Sequence, residues 1–248
     1  MLEVCVDTLE AVGLAIESGA QRIELSEDLS VGGVTPSAEL IKSARRQCSE
    51  ALIVLVRSRA GGFHYSSEEL EQMLMQARRA IELGADGVAV GACHPDRSLD
   101  WDFMARVQSV VKKASEAACL VVHRVFDQVP EPIAAIERLI ELGYERILTS
   151  GGADHAADSL EVLRHWQSVA KDRLEILPAG GIHASNAHRI LHTTGCRQLH
   201  GSFTKTGRGE SSSMPNGQEI AKVRQILDEY LMAAQGGQLH REDSQQRE

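Results

Sequence analysis

Several short apolar runs in this chain carry, at or near their ends, residues that can hold an anion, move a proton or bind a metal. They are Ile23-Glu24-Leu25, Arg57-Ser58-Arg59, His123-Arg124-Val125-Phe126-Asp127, Thr149-Ser150 and His200-Gly201-Ser202. His123 with Asp127, joined by Glu24, offers general acid/base chemistry, because a carboxylate can fix an imidazole tautomer and adjust its affinity for protons. Arg57, Arg59 and Arg124 supply planar guanidinium forks that suit a carboxylate or phosphate. Glu3 and Cys5 lie two apart in the run LEVCV, so they share one face of a strand. Buried carboxylates such as Glu3 and Glu24 need cationic partners, since an unpaired interior charge is strongly disfavoured. Arg57, Arg59, Arg124 and His123 are the candidates, and the plain alternative is an ion-pair network that only fixes strand register. No nucleophile elbow, HExxH helix or phosphate-binding Walker loop is present. Cys93-His94 supplies too few ligands for a metal site and is read as a chance neighbour pair.

The segment PAGGIHASNAHRIL (178–191) adds a second kind of site. Gly180 and Gly181 allow close backbone approach, and a helix starting near Ser185 would present free N–H groups. With His200-Gly201-Ser202 and Gly151-Gly152, they are expected to form a glycine-lined rim for a phosphate or carboxylate. The plain alternative is that these glycines only make tight turns.

Such residues act together only if the fold gathers them. Four segments share a helix end, a glycine and a short strand: ESGAQRIEL, ELGADGVAV, ELGYERILT and TTGCRQLHG. Their glycines, Gly19, Gly84, Gly143 and Gly195, stand at spacings that suit two strand–helix units each. The intervening strands are supplied by LEVCV (2–6), LIVLV (52–56), CLVVH (119–123) and LEILPA (174–179). Helical stretches are expected near 8–18, 37–47, 67–83, 100–114, 131–142, 157–170, 185–193 and 218–234. Thr35-Pro36 and Val129-Pro130 place proline where a helix start tolerates it. Eight strands alternating with eight helices specify an α/β fold, a single-domain (β/α)8 TIM barrel over residues 1–234. A doubly wound open sheet is the structural alternative, disfavoured because no GxGxxG turn follows the first strand. Residues 204–218 read as a loop, and 235–248 as a polar, disordered tail. In a barrel these polar strand ends converge on one face, where active sites lie.

Composition narrows the classes of partner. The chain has 248 residues, with Lys plus Arg 26 and Asp plus Glu 35, for a formal charge of −9. That balance argues against a general binder of nucleic acid or of anionic membrane surfaces. No apolar run approaches the roughly 20 residues of a membrane helix. MLEVCVD has no basic leader character, so a cytoplasmic protein is expected. The five cysteines are odd in number, scattered and never paired as CxxC, which argues against a disulfide framework or zinc knuckle.

LEVCVDTLE, GAQRIELSEDLSVGGVTPS, RSRAGGFHYS, HRVFDQ, RILTSGG and AGGI, in that order from residue 2 to about 202, resemble the CutC family. The resemblance implies a (β/α)8 barrel, a cytoplasmic location, a homodimer or higher homo-oligomer, and an association with copper homeostasis. The family's shared polar positions map onto Glu3, Glu24, Arg57, Arg59, His123, Arg124, Asp127, Thr149, Ser150 and His200. Three departures stand out. Ser26 replaces the family's cysteine after IEL, Ser58, Ala60 and Gly62 alter its RPRGGDF loop, and TKTGRGESSSMPNG stands where an Arg-Asn motif is usual. Losing that cysteine removes a soft ligand, and Cys5 remains as the candidate thiolate for Cu(I).

Three functions compete on this footing. The resemblance implies copper handling with Cys5 as metal ligand and copper as the bound ion. The strand-end cluster suits an enzyme acting on a small anionic metabolite, phosphorylated ones included. Glu24, His123 and Asp127 would then move protons. Glu3, Arg57, Arg59, Arg124, Thr149, Ser150, Gly180, Gly181, His200 and Ser202 would bind the ligand. The same pocket without turnover would make a sensor.

Overall fold

The computed structural model describes the backbone of residues 1–207 and 210–245, and the side chains of residues 1–204 and 214–234. Strand and helix alternate through β1 (Leu2–Val6), α1 (Leu9–Glu17), β2 (Arg22–Leu25), α2 (Ala38–Gln47), β3 (Ala51–Val56), α3 (Ser67–Glu82), β4 (Gly87–Val90) and α4 (Trp101–Ala114). The second half continues with β5 (Cys119–Val122), α5 (Pro132–Glu141), β6 (Arg146–Thr149), α6 (Leu160–Ala170), β7 (Glu175–Pro178), α7 (Ala184–Thr194) and β8 (Leu199–Gly201). A ribbon of β9 (Thr204–Gly207) and β10 (Glu210–Pro215) precedes α8 (Gly217–Gln245).

Local chemistry explains the boundaries. Thr8, Ser66 and Asp100 cap α1, α3 and α4 with side-chain oxygens, and Ser66 with Glu69 forms a reciprocal capping box. Pro132 opens α5 at a position where its missing N–H costs nothing. The four repeat glycines close their helices in the left-handed region, with φ of 102°, 98°, 76° and 75° at Gly19, Gly84, Gly143 and Gly195.

The eight strands are parallel and ordered β7-β6-β5-β4-β3-β2-β1-β8, which curls the sheet into a nearly closed barrel. Among the described residues no hydrogen-bond ladder joins β7 to β8. Alternation along the strands sends Leu2, Val4 and Val6 outward to the helices, where the main apolar core lies. Each large aliphatic side chain buried there contributes roughly 1.5–3 kcal/mol. The barrel interior is divided. Ile53, Leu55, Ala89, Val121, Leu148, Leu177 and Ala179 make an apolar cluster on β3 to β7 and just beyond β7. Glu3, Glu24 and His200 make the opposite side polar, on β1, β2 and β8.

The stretch read as a loop from 204 carries an antiparallel ribbon, in which Gly207 pairs with Glu210 and Thr204 with Pro215. Its Thr and Ser residues tolerate extended backbone without an apolar alternation to announce it. The expected tail from 235 falls on residues whose side chains lie outside those described, although the backbone of α8 extends to Gln245.

Candidate functional site

Register alone brings three distant segments into one layer. Glu3 lies opposite Arg22 on β2 and His200 on β8, and Cys5 lies opposite Glu24. Glu3 is 1% exposed; Oε2 accepts from Arg22 Nε, and Oε1 is 2.6 Å from His200 Nδ1. Burial opposes ionisation of Glu3, but Arg22 and His200 overcome it and hold the carboxyl well below the usual range. Arg22 also donates to Gln198 Oε1, at 2.7 Å.

Further along the strands, Cys5 Sγ, a Glu24 carboxylate oxygen and a His200 ring nitrogen all lie within 4.8 Å of one another, and all three residues are buried. Ligand atoms around one tetrahedral ion stand roughly 3–4 Å apart, so small side-chain adjustments suffice to share one. Glu3 on Nδ1 fixes the His200 ring and leaves Nε2 for the cluster, the arrangement that orients metal-binding imidazoles. Glu24 Oε2 has no hydrogen-bond partner among the described residues. Burial raises the Glu24 pKa to about 7, His200 opposing and the Glu3 charge adding. Burial works against a charged His200, yet Cys5, Glu24 and the Glu3 hydrogen bond raise its pKa well above the ordinary value. A sulfur, an oxygen and a nitrogen donor, one of them orphaned, fit a bound metal ion.

These residues form part of the lining of a cavity of about 910 Å³ at the carboxyl end of the barrel. His123 and Phe63 both line it and pack against each other, with ring centroids 4.9 Å apart. His123 Nδ1 accepts from the Val125 amide at 3.2 Å, so the proton resides on Nε2, which is buried without a partner. Burial, with the Arg57 charge, pushes the His123 pKa down to about 3.

The guanidinium groups expected to bind an anion are engaged by the protein to different degrees, and Arg57 and Arg124 both line the cavity. Arg57 donates to the carbonyls of Val31, Gly32, Gly33 and Gly61, at 2.6 to 3.3 Å. It therefore pins the β2–α2 loop, whose Leu29, Val31 and Gly32 wall the cavity. Arg59 does not line the cavity; it bonds Glu69 at 2.6 Å and the carbonyls of Ala60, Gly62 and His64. Arg124 does line it, held by Asp127 Oδ2 at 2.8 Å and Ser150 Oγ at 2.7 Å.

The expected His123–Asp127 couple is not formed. Asp127 accepts from Thr149 Oγ1 at 2.5 Å, from the Ser150 and Gly152 amides, from Ser150 Oγ and from Arg124. The 3₁₀ turn at Arg124–Gln128 aims it at the β6 end rather than at the imidazole. Its carboxylate is saturated, as suits a group that positions Arg124. Thr149 and Ser150 belong to this hub and do not line the cavity, whereas Gly180, Gly181 and Ser202 do.

The helix N-terminus expected to greet a phosphate is already occupied. The Ala184 amide at the start of α7 donates to Glu219 Oε1 of α8 at 2.6 Å, and Asn186 Oδ1 takes the His183 amide. Two residues escaped the sequence reading: Arg22, which pairs with Glu3, and Glu219. Arg22 shares strand parity with Glu24, a signal available in the sequence; Glu219 had none.

The CutC family model matches residues 1–205 of this chain. A CutC family protein of Treponema denticola is 39% identical over 215 residues, covering 87% of this chain and 85% of that protein. The human protein named copper homeostasis protein cutC homolog is 36% identical over 206 residues, covering 83% of this chain and 74% of that protein. A crystal structure of CutC from Streptococcus agalactiae superposes with a TM-score of 0.74 at 29% identity, covering 82% of this chain and 98% of that one.

Proposed function

The chain belongs to the CutC family, and on that premise we propose that it handles copper, binding Cu(I) through Cys5 and His200 with Glu24 beside them. The observation that carries this reading is the convergence of three buried donor groups from β1, β2 and β8. Cu(I) favours soft thiolate and imidazole donors, and Glu24 offsets its charge. The family cysteine lost at Ser26 does not break this set. Ser26 is fully buried, packs where a side chain at Gly33 would stand, and does not line the cavity.

Competition with a chromophoric cuprous chelator tests the reading. One Cu(I) per chain is expected, with affinity falling at least a hundredfold in Cys5→Ser and His200→Ala. Glu3→Gln, which loosens the imidazole and also removes the carboxylate charge from buried Arg22, should cost about 10- to 100-fold in a chain shown by circular dichroism to be folded. Equal affinity in Cys5→Ser and wild type would withdraw the proposal.

The cavity favours a second reading, because about 910 Å³ is far more than one ion fills. An enzyme or sensor for a small anionic metabolite would use Glu24 and His123 at its floor. A thermal-shift panel of such metabolites checks it, and silence across the panel removes it. The family resemblance also supports self-association and a cytoplasmic location. Among the described residues, no helix is long and apolar enough to cross a membrane. Light scattering that gave the mass of a single chain would remove the oligomer.

A further inference from the structure

Around the cavity stand several polar groups that the rest of the protein leaves unanswered. Arg124 spends Nε on Asp127 and Nη2 on Ser150 and the Ala153 carbonyl, while Nη1 has no partner among the described residues. That nitrogen lies 3.6 Å from where a Cβ would stand on Gly180, so the absent side chain leaves it open toward bare backbone. Gly180 and Gly181 have consecutive positive φ values, 84° and 66°, and their amides donate to no described group. Paired amides in such turns make anion-binding concavities. On the same cavity, His123 Nε2 and Glu24 Oε2 are buried and unpaired, in residues 3% and 6% exposed.

Charge selects the anion. Asp127 already balances Arg124, Asp154 and Glu24 line the cavity as well, and Arg57, which also lines it, spends both Nη atoms on carbonyls, so that its charge stands against Asp154 and Glu24. The start of α7, just beyond these glycines, holds the Glu219 carboxylate where a dianionic phosphate would sit. A single negative charge is what the remaining groups suit.

We propose that the cavity binds a small hydroxy- or oxo-carboxylate, its carboxylate between Arg124 Nη1 and the Gly180 and Gly181 amides, its neutral oxygen on His123 Nε2. This deepens the metabolite reading and is independent of copper.

Calorimetric titration of the full chain with lactate, pyruvate and glycerate, in buffer containing a chelator, tests it. Lactamide serves as the neutral partner of lactate, and inorganic phosphate as the rival anion. Saturable binding of at least one acid is expected, with lactamide at least tenfold weaker than lactate and Arg124→Gln at least tenfold weaker for the acid that binds. Arg124→Lys, which keeps the charge but loses the fork, should fall between wild type and Arg124→Gln. Should Arg124→Gln fail to fold, the lactate–lactamide comparison on wild type still decides. Equal binding of lactamide, or full affinity in a folded Arg124→Gln, overturns the proposal. Phosphate binding without any acid overturns the carboxylate assignment and leaves the metabolite reading standing. Silence from every acid and from phosphate overturns both.

Discussion

His123 and Glu24 face one cavity with proton affinities pushed in opposite directions, about 3 for the imidazole and about 7 for the carboxyl. Between pH 6.5 and 4.5 the unfolded chain protonates its histidine while the native His123 does not, so this residue lowers stability as pH falls. Over the same window native Glu24 holds a proton that its unfolded form releases, so Glu24 lowers stability as pH rises. The two slopes oppose each other and cancel in the wild type. The Glu3 shift acts below this window and the His200 shift above it. Replacing His123 by Phe should therefore make stability, relative to wild type, climb by about 1.4 kcal/mol per unit on going from pH 6.5 down to 4.5. Glu24→Gln should show the reverse slope. Urea midpoints at three pH values in chelating buffer measure both, and a pH-independent difference for either variant would contradict its assigned protonation. The sequence marks both residues as unusual, because each sits at a strand end. It does not show which partners they lack. Asp127, four residues from His123, is drawn instead to Thr149 and Ser150 by a turn no local pattern announces.

At the scale of elements, the start of α7 is decided by a residue 35 positions away. Glu219 in the first turn of α8 accepts the Ala184 amide, putting a carboxylate on the positive end of the α7 dipole. Glu219→Ala should cost about 1 kcal/mol, the usual worth of a helix cap, read from urea unfolding. It should also create what the wild type lacks, a free helix start at the rim, so millimolar inorganic phosphate should raise the melting temperature of the variant and not of the wild type. An equal rise in both would show that Glu219 does not block that end. Helix limits themselves were legible. The expected 67–83 and 100–114 match Ser67–Glu82 and Trp101–Ala114, because apolar periodicity and the Ser66 and Asp100 caps are local signals. Arg57 was legible only as a charge. That its fork would staple a loop through Val31, Gly32 and Gly33 depends on how β2 hands the chain to α2, which residue types do not encode.

For the whole molecule, the repeat of helix, glycine and strand disclosed the barrel because each unit must bury one face against the next. It could not disclose where the ring is weakest. β7 ends in Pro178, which has no N–H to give, and β8 has only three residues, paired to β1 through Leu199, His200 and Gly201. β8 is thus held from one side by backbone, and from within by the Glu3–His200 hydrogen bond. Of the three metal donors, His200 sits on β8 at that join, Cys5 on the next strand, β1, and Glu24 on the one after, β2. Local opening follows the number of backbone and apolar contacts that must break. Amide exchange should accordingly be slowest in β3, β4 and β5 and fastest, among the barrel strands, in β8. A bound Cu(I) ion would tie β8 to β1 and β2, and binding stabilises the state that binds. Its addition should slow exchange in β8 and β1 and leave β4 and β5 nearly unchanged. Uniform protection around the ring, with or without Cu(I), would mean that the open join has no energetic consequence and that the three donors do not share an ion.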